Sequence, residues 1–138
     1  MEIKFRGKML DDYYDHYASS EPIMKQGEWV YGYFTRNDEN GNCYITNQTK
    51  TGGAHPWQVD PKTVGQYTGR KDKNDREIYS GNRLRITIYD FWTEHEIAQE
   101  ESIVEFRNCK FGVVWRGMFS GLDGFGRNVT FEVIDEEV

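Results

Sequence analysis

The chain has 138 residues with 17 basic and 23 acidic side chains, a net charge of −6, which suits one domain or two small subdomains sharing a core. The acidic balance argues against a general nucleic-acid-coating role, because phosphate binding needs concentrated positive charge. The densest cationic run, Arg70–Arg76, is diluted by Asp72 and Asp75.

A chain this long buries about two-thirds of its unfolded surface and needs no staple. The two cysteines, Cys43 and Cys109, form neither a CxxC pair nor a disulfide framework, and read as plain thiols. The N-terminus MEIKFRGKML has no apolar run long enough for a signal peptide, and nothing approaches the ~20 apolar residues of a membrane span. The expectation is a soluble cytoplasmic protein without membrane contact. Aromatic residues make up 15% of the chain, which favours pleated, half-buried β-structure.

In chain order, Glu2–Arg6 alternates as a short strand. Leu10–Pro22 is polar and tyrosine-rich and reads as a loop with one helical turn. Glu28–Arg36 is a strong strand, apolar on both faces, and is expected to be covered on both. Asn40-Gly41 ends a turn, and Asn42–Thr46 is the returning strand. His55–Pro61 is bracketed by prolines, which excludes a central strand and reads as a rigid loop. Thr63–Thr68 is a short strand and Asp72–Asp75 a turn tip.

Leu84–Asp90 alternates cleanly as a strand. Phe91–Glu101 fits either an acidic helical turn or the exposed tip of a long hairpin. Val104–Arg107 and Phe111–Arg116 form a hairpin about Asn108-Cys109-Lys110, Gly117–Gly126 is a glycine-rich loop, and Asn128–Ile134 is the last strand. Seven to nine short strands predict a mainly β, antiparallel fold with little helix. The strand spacing leaves a β-barrel and a sandwich both open and argues against a βαβ fold.

The run Gln66–Asn82, QYTGRKDKNDREIYSGN, resembles the signature of YopX-like proteins, YTGLKDKNGKEIYEGD. Three further segments agree in order: Ile3–Arg6, Val104–Arg107 with Phe111–Trp115, and Phe131–Ile134. The resemblance implies a phage or prophage protein of Gram-positive bacteria, a mainly β fold divisible into an N-terminal β subdomain over 1–65 and a small C-terminal β-barrel over 66–138, and no assigned activity. Asp75 stands where the family usually has Gly, and Ser80 and Asn82 replace the acids of EGD. The chain also stops at Asp135–Val138, where relatives often continue. Within the motif, Gly69 permits a bend, Asp72–Asp75 a hairpin tip, and Gly81 a strand restart. Each position then has a structural role, as a turn framework.

Candidate chemistry is sparse. Thr93–Gln99 begins like HExxH, but Gln99 occupies the second histidine position, so a zinc site of that type lacks a ligand. His16 and His95 carry no motif. His55, Trp57 and Asp60 are a possible ligand loop, against a rigid loop whose Trp57 plugs the core. Arg70, Lys71, Lys73, Arg83 and Arg85, near tyrosines, are a possible nucleic-acid contact. Met118, Phe119, Leu122 and Phe125 are a possible partner contact on a glycine-rich flap. No nucleophile–base pair, cofactor motif or phosphate loop is evident.

The leading expectation is a non-enzymatic, self-associating binding or assembly module that meets its own copy or a host or phage protein. The alternatives are a nucleic-acid-binding module on the C-terminal barrel, and a small ligand-binding or hydrolytic protein centred on the His55 loop.

Overall fold

The structure, a computed structural model, describes residues 3–14, 21–49 and 52–134. These contain twelve strands and two short 3-10 turns. The fold is mainly β and antiparallel. The chain divides into two compact units, with Gln66 closing the first and Tyr67 opening the second.

The first unit holds β1 (Phe5–Lys8), β2 (Trp29–Arg36), β3 (Cys43–Gln48) and β4 (Ala54–Val59), ordered β4-β3-β2-β1. Gly65 and Gln66, the start of β5 (Gly65–Lys71), pair with Arg6 and Phe5. The β2–β3 turn is built from asparagine side chains: Asn37 Oδ1 accepts from Glu39 N, and Asn40 Oδ1 from Asn42 N, each at 2.9 Å. Such bonds to the residue two ahead are why asparagine marks turns. The core comprises Met9, Val30, Cys43, Ile45, Trp57 and Val59.

Two expectations are corrected in this unit. β2 is covered on one face only: Val30 is buried, while Tyr31 and Tyr33 are 42% and 70% exposed. Tyrosine tolerates this because its ring is apolar and its hydroxyl is wet. The His55–Pro61 segment contains a strand, β4, rather than a rigid loop. Thr49 N donates to Gly53 O, in the same register that pairs Thr46 with Pro56. Hydrogen-bonded pairs alternate, so Pro56 falls at a position that needs no N–H. Residues 8–10 then fold back on the end of β4, with Leu10 N donating to Gln58 O and Asp60 N to Lys8 O.

The second unit holds the remainder of β5 with β6 (Glu77–Tyr79), β7 (Arg83–Tyr89), β8 (Glu96–Ile103), β9 (Glu105–Arg107), β10 (Lys110–Trp115), β11 (Met118–Gly121) and β12 (Val129–Val133). They form a β12-β7-β8 sheet, a β11-β10-β9 sheet and the β5–β6 pair. Ile78, Leu84, Ile86, Val104, Val113, Leu122, Phe131 and Val133 make the core. Leu84 and Ile86 come from the alternating face of β7, as its sequence pattern predicts.

No closed barrel forms among the described residues. Between β8 and β10 side chains stand in for a backbone ladder: Val114 N donates to Ser102 Oγ at 3.1 Å, and Arg116 N to a Glu100 carboxylate oxygen at 3.2 Å. The ambiguous Phe91–Glu101 segment is a hairpin tip followed by β8. The segment read as a glycine-rich loop, Gly117–Gly126, instead carries β11 and a 3-10 turn at Leu122–Gly124. Arg116 and Gly117 take positive φ and turn β10 into β11. Asn108 and Cys109 do the same between β9 and β10, with φ of 51° and 62°. Two consecutive positive φ values match the right-handed twist of a tight hairpin.

Candidate functional site

The β7–β8 hairpin ends in the turn Asp90–His95, closed by Asp90 N donating to His95 O at 2.7 Å. The Asp90 carboxylate accepts from Trp92 N and Thr93 N, both at 2.9 Å. The amides of Thr93 and then Trp92 favour the charged carboxylate and hold its pKa below the ordinary aspartate range. With these donors satisfied, the turn presents Phe91 and Trp92 outward, 56% and 88% exposed. The two rings meet edge to face, with centroids 5.9 Å apart.

Beside them opens a cleft of about 490 Å³ lined by Tyr89, Asp90, Phe91, Glu94, Arg127 and Asn128. Asn128 ties the cleft to the sheet: its side-chain amide donates to Tyr89 O at 3.0 Å, and its own carbonyl accepts from Tyr89 N at 2.8 Å. The Arg127 guanidinium lies 5.6 Å from the Phe91 ring centroid and makes no ion pair among the described residues. The sequence left this segment open between an acidic helical turn and a hairpin tip, and did not mark it as a site. The available signal was Phe91-Trp92 itself, since adjacent strand or turn residues cannot both face one core.

The residues singled out from the sequence lie elsewhere. His55 packs against Trp57 at 4.1 Å, and Tyr13 approaches both rings edge-on. Trp57 is buried and donates its indole N–H to Asn47 Oδ1 at 3.0 Å. Asp60 caps a 3-10 turn by accepting from Lys62 N, so its carboxylate serves the backbone. The five cations are each beside a carboxylate: Arg70 with Asp123, Lys71 with Asp75, Arg83 with Glu101, and both Lys73 and Arg85 with Glu132. Their field toward a phosphate is correspondingly weakened.

Of the proposed flap, Leu122 is a core residue and Phe125 packs edge-on against Trp115 and Phe131. Phe119 takes Arg107 and Lys110 near its ring, and Met118 is 73% exposed. His16 and the terminal residues 135–138 lie outside the described residues. Among the described residues no three His, Cys, Asp or Glu side chains are grouped to hold a metal ion, and no helix is long and apolar enough to cross a membrane.

The Gln66–Asn82 run is organised by two buried acceptors. One Asp72 carboxylate oxygen accepts from Asn74 N and Arg76 N, and the other from Val133 N, all within 2.9 Å. Lys73 N donates to Phe131 O, and the Arg76 guanidinium to Val133 O. Asn82, 1% exposed, accepts from Tyr79 N at 2.7 Å, while its backbone exchanges bonds with the 104 region: Val104 N donates to Asn82 O, and Gly81 N to Val104 O. Across the chain, residues 4–136 match the family model described as YopX protein. The chain belongs to the YopX family. No curated protein and no solved structure gave a significant match.

Two departures from the YopX signature, Asp75 and Asn82, stand at positions with a defined backbone role. Asp75 adopts φ 65°, the left-handed conformation a glycine would take there without cost. Asn82 retains the side-chain oxygen that the usual acid would offer to the Tyr79 amide. Gly69 and Gly81, at φ 86° and 91°, supply the bend and the restart.

Proposed function

We propose that this YopX-family protein is a non-enzymatic binding module that self-associates through the β7–β8 tip. The observation that carries the reading is the exposure of Trp92 and Phe91 on a turn already pinned by Asp90. A preordered turn loses little further entropy when its aromatics are covered. Tryptophan, tyrosine and arginine are the residues that dominate binding hot spots.

The cleft's chemistry suits an indole. Asp90 and Glu94 offer acceptors for its N–H, Arg127 offers a cation for its face, and Tyr89 and Phe91 offer apolar contact. A knob and a matching socket on one tip are self-complementary about a two-fold axis. Two aromatics bury roughly 150–250 Å² each, short of the ~800 Å² per partner of standard interfaces. Association is therefore weak and concentration-dependent. A phage or prophage setting and the host cytoplasm are part of this proposal and rest on the family.

In the two-fold pairing Arg127 faces the partner copy's acidic rim. Arg127→Glu should reduce dimer seen by light scattering at high concentration, and adding Glu94→Arg should restore it. Unchanged dimer in Arg127→Glu would contradict the tip as the contact.

A further inference from the structure

We infer that the outer face of the β1–β4 sheet binds single-stranded nucleic acid. Register places the outward residues together: Arg6 lies opposite Tyr31, Lys8 opposite Trp29, and Tyr44 opposite Thr35, two positions beyond Tyr33. The other face of the same strands carries the core residues Val30, Ile45 and Val59, so the two faces are chemically distinct. Tyr33 is 70% exposed and Tyr31 42%. Neither Tyr33 nor Tyr44 stacks on another ring among the described residues.

Two residues along a strand advance about 6.8 Å, twice the ~3.4 Å rise of stacked bases. The Tyr31–Tyr33 spacing on β2 therefore matches one base between the two side chains, while the Trp29 ring is taken by Arg6. Sequence-tolerant single-strand sites combine such aromatic platforms with cations that track the backbone. The cations stand at one end of the row: the Arg6 guanidinium is 3.8 Å and the Lys8 ammonium 5.1 Å from the Trp29 ring centroid. Lys8 makes no ion pair among the described residues, unlike the five cations of the second unit. A duplex hides its base faces, so the row selects unpaired strands. This face, not the charge-paired Arg70–Arg85 set, is where the protein meets nucleic acid.

The test is fluorescence anisotropy of the full chain with labelled oligo-dT, oligo-U and a duplex of equal length at low salt. Single strands should bind and the duplex should not, with the two oligomers showing whether DNA or RNA is preferred. One phosphate contact, from Lys8, predicts a slope of log affinity on log salt of about −0.7, lost in Lys8→Ala. Tyr33→Ala should weaken binding roughly tenfold and Tyr33→Phe should not. Absence of single-strand binding at low salt would overturn the inference. So would equal affinity for the duplex, binding that survives Tyr33→Ala unchanged, or retention on a neutral polysaccharide alone.

Discussion

Asp72 shows how much one short side chain can organise. Its two oxygens satisfy three backbone N–H groups from two separate segments, and it is only 8% exposed. Asp72→Ala leaves those donors unpaired, at a cost of about 3 kcal/mol or more, to be read as a lower urea midpoint. Gly32 is fixed by space, since a Cβ there would stand 2.2 Å from the Thr46 carbonyl oxygen. Gly32→Ala should cost roughly 2 kcal/mol or more, because the crowding atom is backbone and cannot rotate aside. Asp90 acts at the tip in a pH-dependent way. Its folded pKa lies below the ordinary value, so the folded state binds fewer protons than the unfolded one near that range. Its stabilising contribution is present at neutral pH and fades as pH falls through the folded value. Amide resonances of Trp92 and Thr93 should shift together as the carboxylate protonates, and titrations of these two that do not coincide would contradict the shared acceptor.

At the scale of elements, alternation made β7 and β12 legible, while β2 was legible from its aromatic content and β3 from the turn before it. Leu84 and Ile86, or Phe131 and Val133, repeat every second residue because one face must be buried. β4 was obscured because Pro56 is a strand-breaker by composition, and only the register reveals that its missing N–H falls where none is required. β11 was obscured by glycines: Gly117 belongs to the turn and Gly121 to the strand end, leaving few residues to show a period. The tip was only half legible, since its sequence fits an acidic helical turn as well as a hairpin end, and nothing marked it as a site. Exposure of Trp92 follows from local bonds of Asp90 to the amides two and three residues ahead, which turn chemistry suggests but a hydrophobic period does not show. Ser102 is less legible still, since nothing local marks it as the acceptor that joins β8 to β10. Ser102→Ala should cost about 1–3 kcal/mol by leaving Val114 N unpaired, checked by denaturant melts against Ser102→Thr, which keeps the hydroxyl.

For the whole molecule, the YopX motif and the exposed surfaces divide the work. The motif residues are spent on the scaffold: carboxylates and amides bond to backbone, and its cations lie beside acids. Among the outward apolar side chains are the aromatics Phe91 and Trp92 at the β7–β8 tip and Tyr31 and Tyr33 on the β1–β4 sheet. A net charge of −6 opposes self-association through long-range repulsion, which salt screens together with the attraction of Arg127 for the acidic rim, so the aromatic contact is the part that salt does not weaken. Sedimentation velocity from about 10 μM to about 1 mM, the span in which weak contacts populate, tests the central claim of a self-associating tip most directly. The wild-type protein should shift from monomer toward dimer across that series while Trp92→Ala stays monomeric; a wild-type protein that remains strictly monomeric, or a Trp92→Ala variant that dimerises equally well, would contradict it.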